Sequence, residues 1–308
     1  MKLHILGSGA GIPSKERHTQ CIILDCVEEV NGYYCIDACE GMQHQLLHTN
    51  IKPGKIQHMF ITHLHGDHIY GLPGFLSSRD HLGGRGIPLT IYGPKGLAAW
   101  IEMTLELSNS HLSYPLEIIE VAPYDTFEMN HMTITVIPMI HNIECYGYIF
   151  KEDDRVGELR VDKLQAIGLE PGPLYREIKT SDTFTHDDKT YQTADFLGPI
   201  KRGRKVVIHG DTEVINDARY KELFDNADLI AHESTYLDGE QEKAHHHHHS
   251  EISDVLSNLE DINYKQLLIT HISNRYDYDQ LQELQEKHQD DCLFAYDFQT
   301  VTIPRNPE

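Results

Sequence analysis

The segment Thr62-His63-Leu64-His65-Gly66-Asp67-His68 places three imidazoles and a carboxylate within six residues, directly after the apolar run Met59-Phe60-Ile61. A strand running into a tight, glycine-containing turn would aim those side chains at one small volume. Imidazole and carboxylate are borderline-hard donors suited to zinc, and no thiol lies beside them to make a purely structural site. His63 and His65 are two apart, as are His65 and Asp67, while Asp67 and His68 are adjacent. One tetrahedral ion would struggle to use all four, so the spacing points to two neighbouring metals. Taken alone, the motif also admits a surface histidine cluster or a helix cap.

Further ligand-type residues stand at the ends of three later apolar runs. Thr133-Ile134-Thr135-Val136-Ile137 leads through Pro138-Met139-Ile140 to His141, and Lys205-Val206-Val207-Ile208 leads through His209-Gly210 to Asp211. Gln266-Leu267-Leu268-Ile269-Thr270 leads directly to His271. Each run has the aliphatic, β-branched character of a buried strand. His141 or His271 by itself would read as a hydrogen-bonded histidine of core or surface. Strand ends on one edge of a sheet converge, so the repeated pattern describes one site assembled from distant segments.

These residues carry a family resemblance. His63-x-His65-x-Asp67-His68 followed by His141, Asp211 and His271 resembles the metallo-β-lactamase-like hydrolases with a binuclear zinc centre. Several matches narrow the resemblance to ribonuclease Z, which removes 3′ trailers from precursor transfer RNA. They are Leu6-Gly7-Ser8-Gly9-Ala10-Gly11, Pro13-Ser14-Lys15-Glu16-Arg17, Gly210-Asp211-Thr212, Ala227-Asp228-Leu229, His232-Glu233-Ser234-Thr235 and His271-Ile272-Ser273-Asn274-Arg275-Tyr276. The superfamily motif alone says only hydrolase; the Pro-x-Lys-x-Arg and His-x-Ser-x-Arg-Tyr segments are more specific, and the resemblance runs over essentially the whole chain.

The resemblance implies an α/β (α+β) fold, a four-layer αββα sandwich with the metals at the seam. Strand candidates at residues 3–6, 21–26, 33–37, 59–62 and 89–92, with helices at 41–50 and 97–107, suit a first half. The ligand-bearing strands, helices at 250–259 and 278–288, and a closing strand at 292–295 suit a second. The chain reads as one hydrolase domain over 1–308, interrupted at 151–200. That segment holds a short helical candidate at 161–167, stopped by Gly168, and then Glu170-Pro171-Gly172-Pro173-Leu174-Tyr175, whose proline and glycine density disfavours helix and sheet. Segments this long between strands are usually functional or disordered. In the family the corresponding insertion is a flexible arm that clamps the transfer RNA elbow, and Pro171-Gly172-Pro173-Leu174-Tyr175 is similar to it.

A formal net charge of −22 opposes the binding of a polyanion. The distribution qualifies this. Residues 151–205 hold 11 of the 26 basic and 11 of the 48 acidic residues, so the acidic excess lies elsewhere. Lys201-Arg202-Gly203-Arg204-Lys205 closes the segment as a cationic cluster. A solvated, charge-mixed insertion is the plainer alternative. Cysteines at 21, 26, 35, 39, 145 and 292 form no Cys-x-x-Cys pair, which favours reduced thiols and a cytoplasmic protein. No signal-peptide hydrophobic region or membrane-spanning run stands out.

Mechanism follows from charge: a phosphodiester is anionic and its alkoxide leaves poorly, so water must be activated and negative charge absorbed, which two divalent ions can do. The resemblance assigns His63, His65, His141 and Asp211 to one zinc, and Asp67, His68, His271 and the same Asp211 to the other. Asp67 is also expected to accept a proton from the attacking water, or to orient it. Asp37, at the end of Tyr33-Tyr34-Cys35-Ile36, would fix the tautomer of a ligating imidazole or cap a turn; His4 reads as structural.

The run His245–His249 looks like an affinity tag but sits well inside the chain. The family has a His-Ser-Thr motif near here whose histidine helps protonate the leaving oxygen. His249-Ser250 matches it, with Glu251 in place of threonine, so the role is assigned to His249 by its neighbour, with Glu233 to orient it, although the run leaves the register open in sequence. The other four histidines have no assigned role beyond adventitious metal capture. Lys15 and Arg17 read either as ordinary loop charges or as contacts to the RNA 3′ end.

The expected protein is therefore an endoribonuclease with two Zn2+ per subunit. It would cut precursor tRNA 3′ of the discriminator nucleotide, as a homodimer with no obligate protein partner and no membrane attachment. A small-molecule phosphodiesterase with the insertion as a lid is the second reading, and an RNA-binding protein with vestigial chemistry the third.

Overall fold

Residues of the strand Cys21–Cys26 alternate between two apolar cores: Ile22, Leu24 and Cys26 pack into one, Cys21 and Ile23 into another. The period of two is what a strand buried on both faces requires. The same division recurs at Lys205–Ile208, where Val206 and Ile208 face one cluster and Val207 faces a third. The structure, a computed structural model, describes residues 1–306.

The first sheet has seven strands, in the order Thr300–Thr302, Lys2–Gly7, Cys21–Cys26, Gly32–Ile36, Ile56–Phe60, Leu89–Gly93 and Leu116–Glu120. Its first four strands pair antiparallel and the remainder parallel. The second sheet runs Leu293–Phe294, Leu267–Thr270, Leu229–Glu233, Lys205–Ile208, Tyr146–Glu152, Met132–Pro138 and Thr126–Met129. Here Leu293–Phe294 through Lys205–Ile208 pair parallel, and Tyr146–Glu152 is antiparallel to Lys205–Ile208.

Leu3, Ile5, Tyr34, Ile36 and Phe60 of the first sheet share one buried cluster with Ile134, Val136, Tyr148, Phe150 and Ile208 of the second. The sheets are therefore packed face to face. The outer face of the first is covered by the helices Met42–Leu47, Leu72–Arg79 and Leu97–Leu107. Ala218–Phe224 and Ile252–Leu259 cover the second, burying Ile252, Val255 and Leu259 at helical spacing. This is the αββα sandwich expected from the sequence.

Two local expectations need correcting. Gly66 opens the short helix Gly66–Ile69 rather than forming a turn. Its missing side chain makes room for the Tyr70 ring, which a Cβ would approach at 2.2 Å. The proline-rich stretch does not exclude a helix either: Leu174–Thr180 starts immediately after Pro173, a residue tolerated where a helix begins. The strands Leu116–Glu120 and Thr126–Met129 were not foreseen, because charged residues interrupt both.

Glu152–Arg204, with residues 305–306, form a second compact unit, where the sequence suggested an insertion at 151–200. It contains the helices Val161–Ala166 and Leu174–Thr180 and the antiparallel hairpin Thr183–His186/Lys189–Gln192. Its core is small: Leu164, Leu169, Ile178, Phe184 and Phe196. The first helix ends ahead of Gly168, whose φ of +83° suits glycine. Arg204 forks onto Glu152, with Nε 2.9 Å from Oε2 and Nη2 3.1 Å from Oε1, tying the two ends of the segment together. Among the described residues, no helix is long and apolar enough to cross a membrane.

Candidate metal centre

The strand Ile56–Phe60 ends just before Thr62, and the chain then delivers His63, His65, Asp67 and His68 to the edge of the first sheet. His141 follows the strand Met132–Pro138, Asp211 follows Lys205–Ile208, and His271 follows Leu267–Thr270. Gly210 lets Asp211 approach: a Cβ there would lie 2.5 Å from the Tyr146 carbonyl oxygen and 2.8 Å from Thr62. His271 has φ +52°, a left-handed kink between Leu267–Thr270 and Ile272–Ser273 that sequence patterning does not announce.

Two groups of donors result. In the first, His65 Nδ1 lies 2.9 Å from His63 Nε2 and 3.2 Å from His141 Nε2. Asp211 Oδ2 is 3.6 Å from His63 Nε2 and 3.9 Å from His141 Nε2. In the second, His68 Nε2 and His271 Nε2 are 3.3 Å apart, and each is 3.4 Å from Asp67 Oδ2. Asp211 faces both groups, with Oδ1 3.4 Å from His271 Nε2. Ligand atoms of His63, His65, His141 and Asp211 lie within 4.8 Å of one another, as do those of Asp67, His68 and His271.

The outward ring nitrogens of four of these histidines meet protein groups. His68 Nδ1 lies 2.8 Å from Asp37 Oδ2, and His271 Nδ1 lies 2.8 Å from Thr235 Oγ1. His63 Nδ1 meets Thr62 Oγ1 at 3.0 Å, and His141 Nδ1 donates to the His248 carbonyl at 2.9 Å. Asp37 is fully buried and also accepts from the Thr62 amide and hydroxyl and from Gln20. Its role is thus larger than a turn cap. Thr62 and Thr235 had no role in the sequence reading, although both stand inside the quoted motifs; their hydroxyls orient three of these groups.

Electrostatics separates the donors. Burial holds His63, His65 and His141 below the ordinary imidazole value, leaving neutral rings with a lone pair to offer. Burial alone would raise the Asp211 carboxyl, but the neighbouring imidazoles, His271 and His68 first, hold it well below the usual range. Asp67 is lowered likewise: burial opposes ionisation, and His68 and His271 overcome it. Asp211 Oδ1 is buried and makes no hydrogen bond. Facing imidazole nitrogens, an orphaned carboxylate oxygen and outward nitrogens pinned by threonine, carboxylate and carbonyl fit a site for divalent cations. The donor set contains no thiolate, as zinc hydrolases with His and Asp ligands require.

His249 lies over both groups. Its ring centroid is 5.1 Å from that of His141 and 5.5 Å from that of His271. Nδ1 is 2.9 Å from Glu233 Oε1. Burial would lower the His249 pKa, but the Glu233 carboxylate, by charge and hydrogen bond, lifts it to about 9. Glu233 is itself held by the amides of Thr212, Thr235 and Ser250. Glu251, which stands where the family motif has threonine, caps the helix Ile252–Leu259 by accepting from the Ser253 and Asp254 amides. The departure from the motif thus falls on a capping residue and leaves His249 in place.

Lys15 and Arg17 differ. Lys15 is exposed on a loop bordering a cavity of about 790 Å³ that Arg275 and Tyr296 also line. Arg17 turns inward, with Nη1 2.8 Å from Ser8 Oγ and 2.7 Å from the Ala295 carbonyl. Its guanidinium braces the loop.

Comparison with known proteins supplies the family. The model described as "Anti-Pycsar protein Apyc1" matches residues 1–159, so the first half of the chain belongs to that sequence family. The matched stretch includes His63 to His141 but not Asp211, Glu233, His249 or His271. Ribonuclease Z of Staphylococcus aureus strain Newman is 43% identical over 308 residues, covering 98% of this chain and all of that protein. The protein from strain JH9 is 45% identical over 284 residues, 92% of each chain. Human tRNase Z, short form, superposes with a TM-score of 0.73 at 26% identity, over 99% of this chain and 100% of that one. Identity at this level, sustained along the entire sandwich, means that the chain belongs to the ribonuclease Z family.

Proposed function

We propose that this protein is a zinc-dependent endoribonuclease that removes the 3′ trailer from precursor tRNA, cutting 3′ of the discriminator nucleotide. The observation that carries this reading is the position of Asp211 between two groups of imidazoles, with Oδ2 3.6 Å from both His63 and His68 and Oδ1 3.4 Å from His271. His63, His65, His141 and Asp211 would hold one ion; Asp67, His68, His271 and Asp211 would hold the other. Two such ions supply Lewis acidity, lowering the pKa of water and offsetting the charge that builds on the phosphoryl oxygens.

The chain's own residues do the rest. Asp67 takes the proton of the attacking water on its carboxylate, which the Gly11 amide steadies at 2.9 Å. Glu233 occupies His249 Nδ1, so Nε2 delivers a proton to the departing 3′ oxygen. The products are a 3′-hydroxyl on the tRNA and a 5′-phosphate on the trailer. Asp37 accepts from His68 Nδ1, which keeps the lone pair of that ring on Nε2. Lys15 contacts the RNA backbone near the cut, and Arg17 holds the loop that presents it.

The unit Glu152–Arg204 is assigned to gripping the body of the substrate, away from the chemistry. Its separate core and balanced charge support that role against a chain that is otherwise acidic. A homodimer would let the arm of one subunit hold RNA cleaved in the other. A cytoplasmic setting accords with six free, buried cysteines.

The test is incubation of the purified protein with labelled precursor tRNA, with and without chelator, and mapping of the cut. A single cut after the discriminator, lost with chelator and restored by Zn2+, is the expected result. Cleavage elsewhere, or cleavage that persists in chelator, would contradict the assignment.

A further inference from the structure

Five consecutive histidines, His245–His249, are used unequally in this fold. The helix Gln241–His247 carries the first three and ends on His248, which adopts the left-handed conformation at φ 55° and ψ 48°. That twist sends successive rings in different directions. His249 turns inward onto Glu233. His247 lies parallel to the Tyr236 ring, with planes 7° apart, and His246 packs edge-on against His247. His245 and His248 meet on one carboxylate, that of Glu213: His245 Nδ1 is 3.4 Å from Oε2, and His248 Nδ1 hydrogen-bonds Oε1.

We propose that His245, His248 and Glu213 form a peripheral site for a borderline divalent cation such as Zn2+ or Ni2+, distinct from the core cluster. His245 Nδ1 and His248 Nδ1 both face the Glu213 carboxylate, one at each oxygen, so the three side chains converge on one locus. Glu213 supplies a carboxylate with one oxygen directed at each ring, and its backbone is anchored by a 2.9 Å hydrogen bond to the Ile140 carbonyl. Two imidazoles and a carboxylate are a donor set that zinc, nickel and copper favour.

Asp254 adds the usual outer partner. Its Oδ2 lies 3.7 Å from His245 Nε2, opposite the nitrogen that faces Glu213, and adds negative charge beside that ring. The side chains are open enough for an ion to arrive from solvent and keep water ligands: His245 is 57% exposed, His248 43% and Glu213 24%. The net charge of −22 raises the local cation concentration. His248 is linked to the core through its backbone carbonyl, which accepts from His141, so its ring is available to a second ion.

Calorimetric titration of Zn2+ into protein already holding its core complement tests this, with metal content measured after desalting. The wild type should bind one further, weaker equivalent per chain. H245Q/H248Q should lose it, H246Q/H247Q should keep it, and E213Q should weaken it about tenfold or more. Core metal content should be the same in all four proteins. Absence of the extra equivalent in the wild type would overturn the proposal, as would its equal loss in H246Q/H247Q, the behaviour of an undifferentiated tag. Loss of core metal from H245Q/H248Q would also overturn it, by merging the two sites. A wild type whose core holds no metal would instead count against the proposed function.

Discussion

In the paired sheets, side chains from opposite ends of the chain meet at close range. His68 and His271, 203 positions apart, bring their Nε2 atoms to 3.3 Å, and their other ring nitrogens are pinned by Asp37 and Thr235. In the segment 152–204, strands Thr183–His186 and Lys189–Gln192 pair across a tight hairpin, and the core is a small cluster of side chains from within the segment. The first region gains precision from a long-range frame in which His68 and His271 are each fixed by another buried side chain. The second has a small local frame of its own. Chemistry needs the former; the grip on RNA proposed for the segment would tolerate the latter.

The contrast breaks most visibly at Asp67. Asp67→Ala should lower cleavage of precursor tRNA about 10³-fold or more, because a proton acceptor and a candidate ligand vanish together. RNA binding, measured by electrophoretic mobility shift, should stay within about twofold if the grip lies in 152–204. An unchanged cleavage rate would remove Asp67 from the water-handling role.

Deleting the second unit is the converse experiment. Lys151 and Lys205 are directly paired across antiparallel strands, so a two-residue turn can close the gap without disturbing the sheet. The kcat/KM for precursor tRNA should fall about 10²-fold or more, while turnover of a small model phosphodiester should be preserved. Parallel loss of both would mean that the sandwich needs the segment to fold. No loss of either would favour the small-molecule reading.

How much of each region was legible follows from the same physics. The strands that end in His141, Asp211 and His271 are uninterrupted aliphatic runs, and a strand end projects its next residue to the sheet edge, so the donor set could be read from pattern. Partner identity could not. Thr62 and Thr235 look like ordinary polar residues until tertiary structure puts their hydroxyls against Asp37, Glu233 and His271. Gly66 looked like turn chemistry because a sequence does not show the Tyr70 ring that occupies its missing Cβ. In 170–175 the prolines were read as breakers, yet Pro173 sits where a helix starts and leaves Leu174–Thr180 intact. Arg17 read as either a loop charge or an RNA contact, and only the fold shows its guanidinium against Ser8 and Ala295.

A smaller effect sharpens the account of the rigid region. Glu233 raises the His249 pKa to about 9, so the imidazolium persists well above the ordinary value near 6.5. As a proton donor His249 must be protonated, so kcat should decline as pH rises through about 9. In Glu233→Gln burial dominates, and that basic limb should move below the ordinary imidazole value, with kcat at pH 7.5 falling about 10–100-fold. The linked stability has the same sign. A raised folded-state pKa gives a contribution fully present below pH 6.5 and lost as pH climbs through about 9, which thermal melts across that range would register. A pH profile identical in wild type and variant would show that the pair positions residues without moving a proton.

The smallest change in chemistry is expected from the soft region. Phe184 packs with Phe196 and Tyr191 at ring separations of 5.2 and 5.4 Å, inside a cluster too small to redistribute a void. Phe184→Ala should cost about 3–5 kcal/mol locally, which is enough to open a unit of this size. Hydrogen exchange within 152–204 should then accelerate, while protection in the sheet strands and the bound-metal content stay as in the wild type. Because the donors all lie outside residues 152–204, small-substrate turnover should be unaffected even when that unit is molten. If exchange instead accelerates throughout the molecule, the two regions share one cooperative transition, and their apparent independence is geometric rather than energetic.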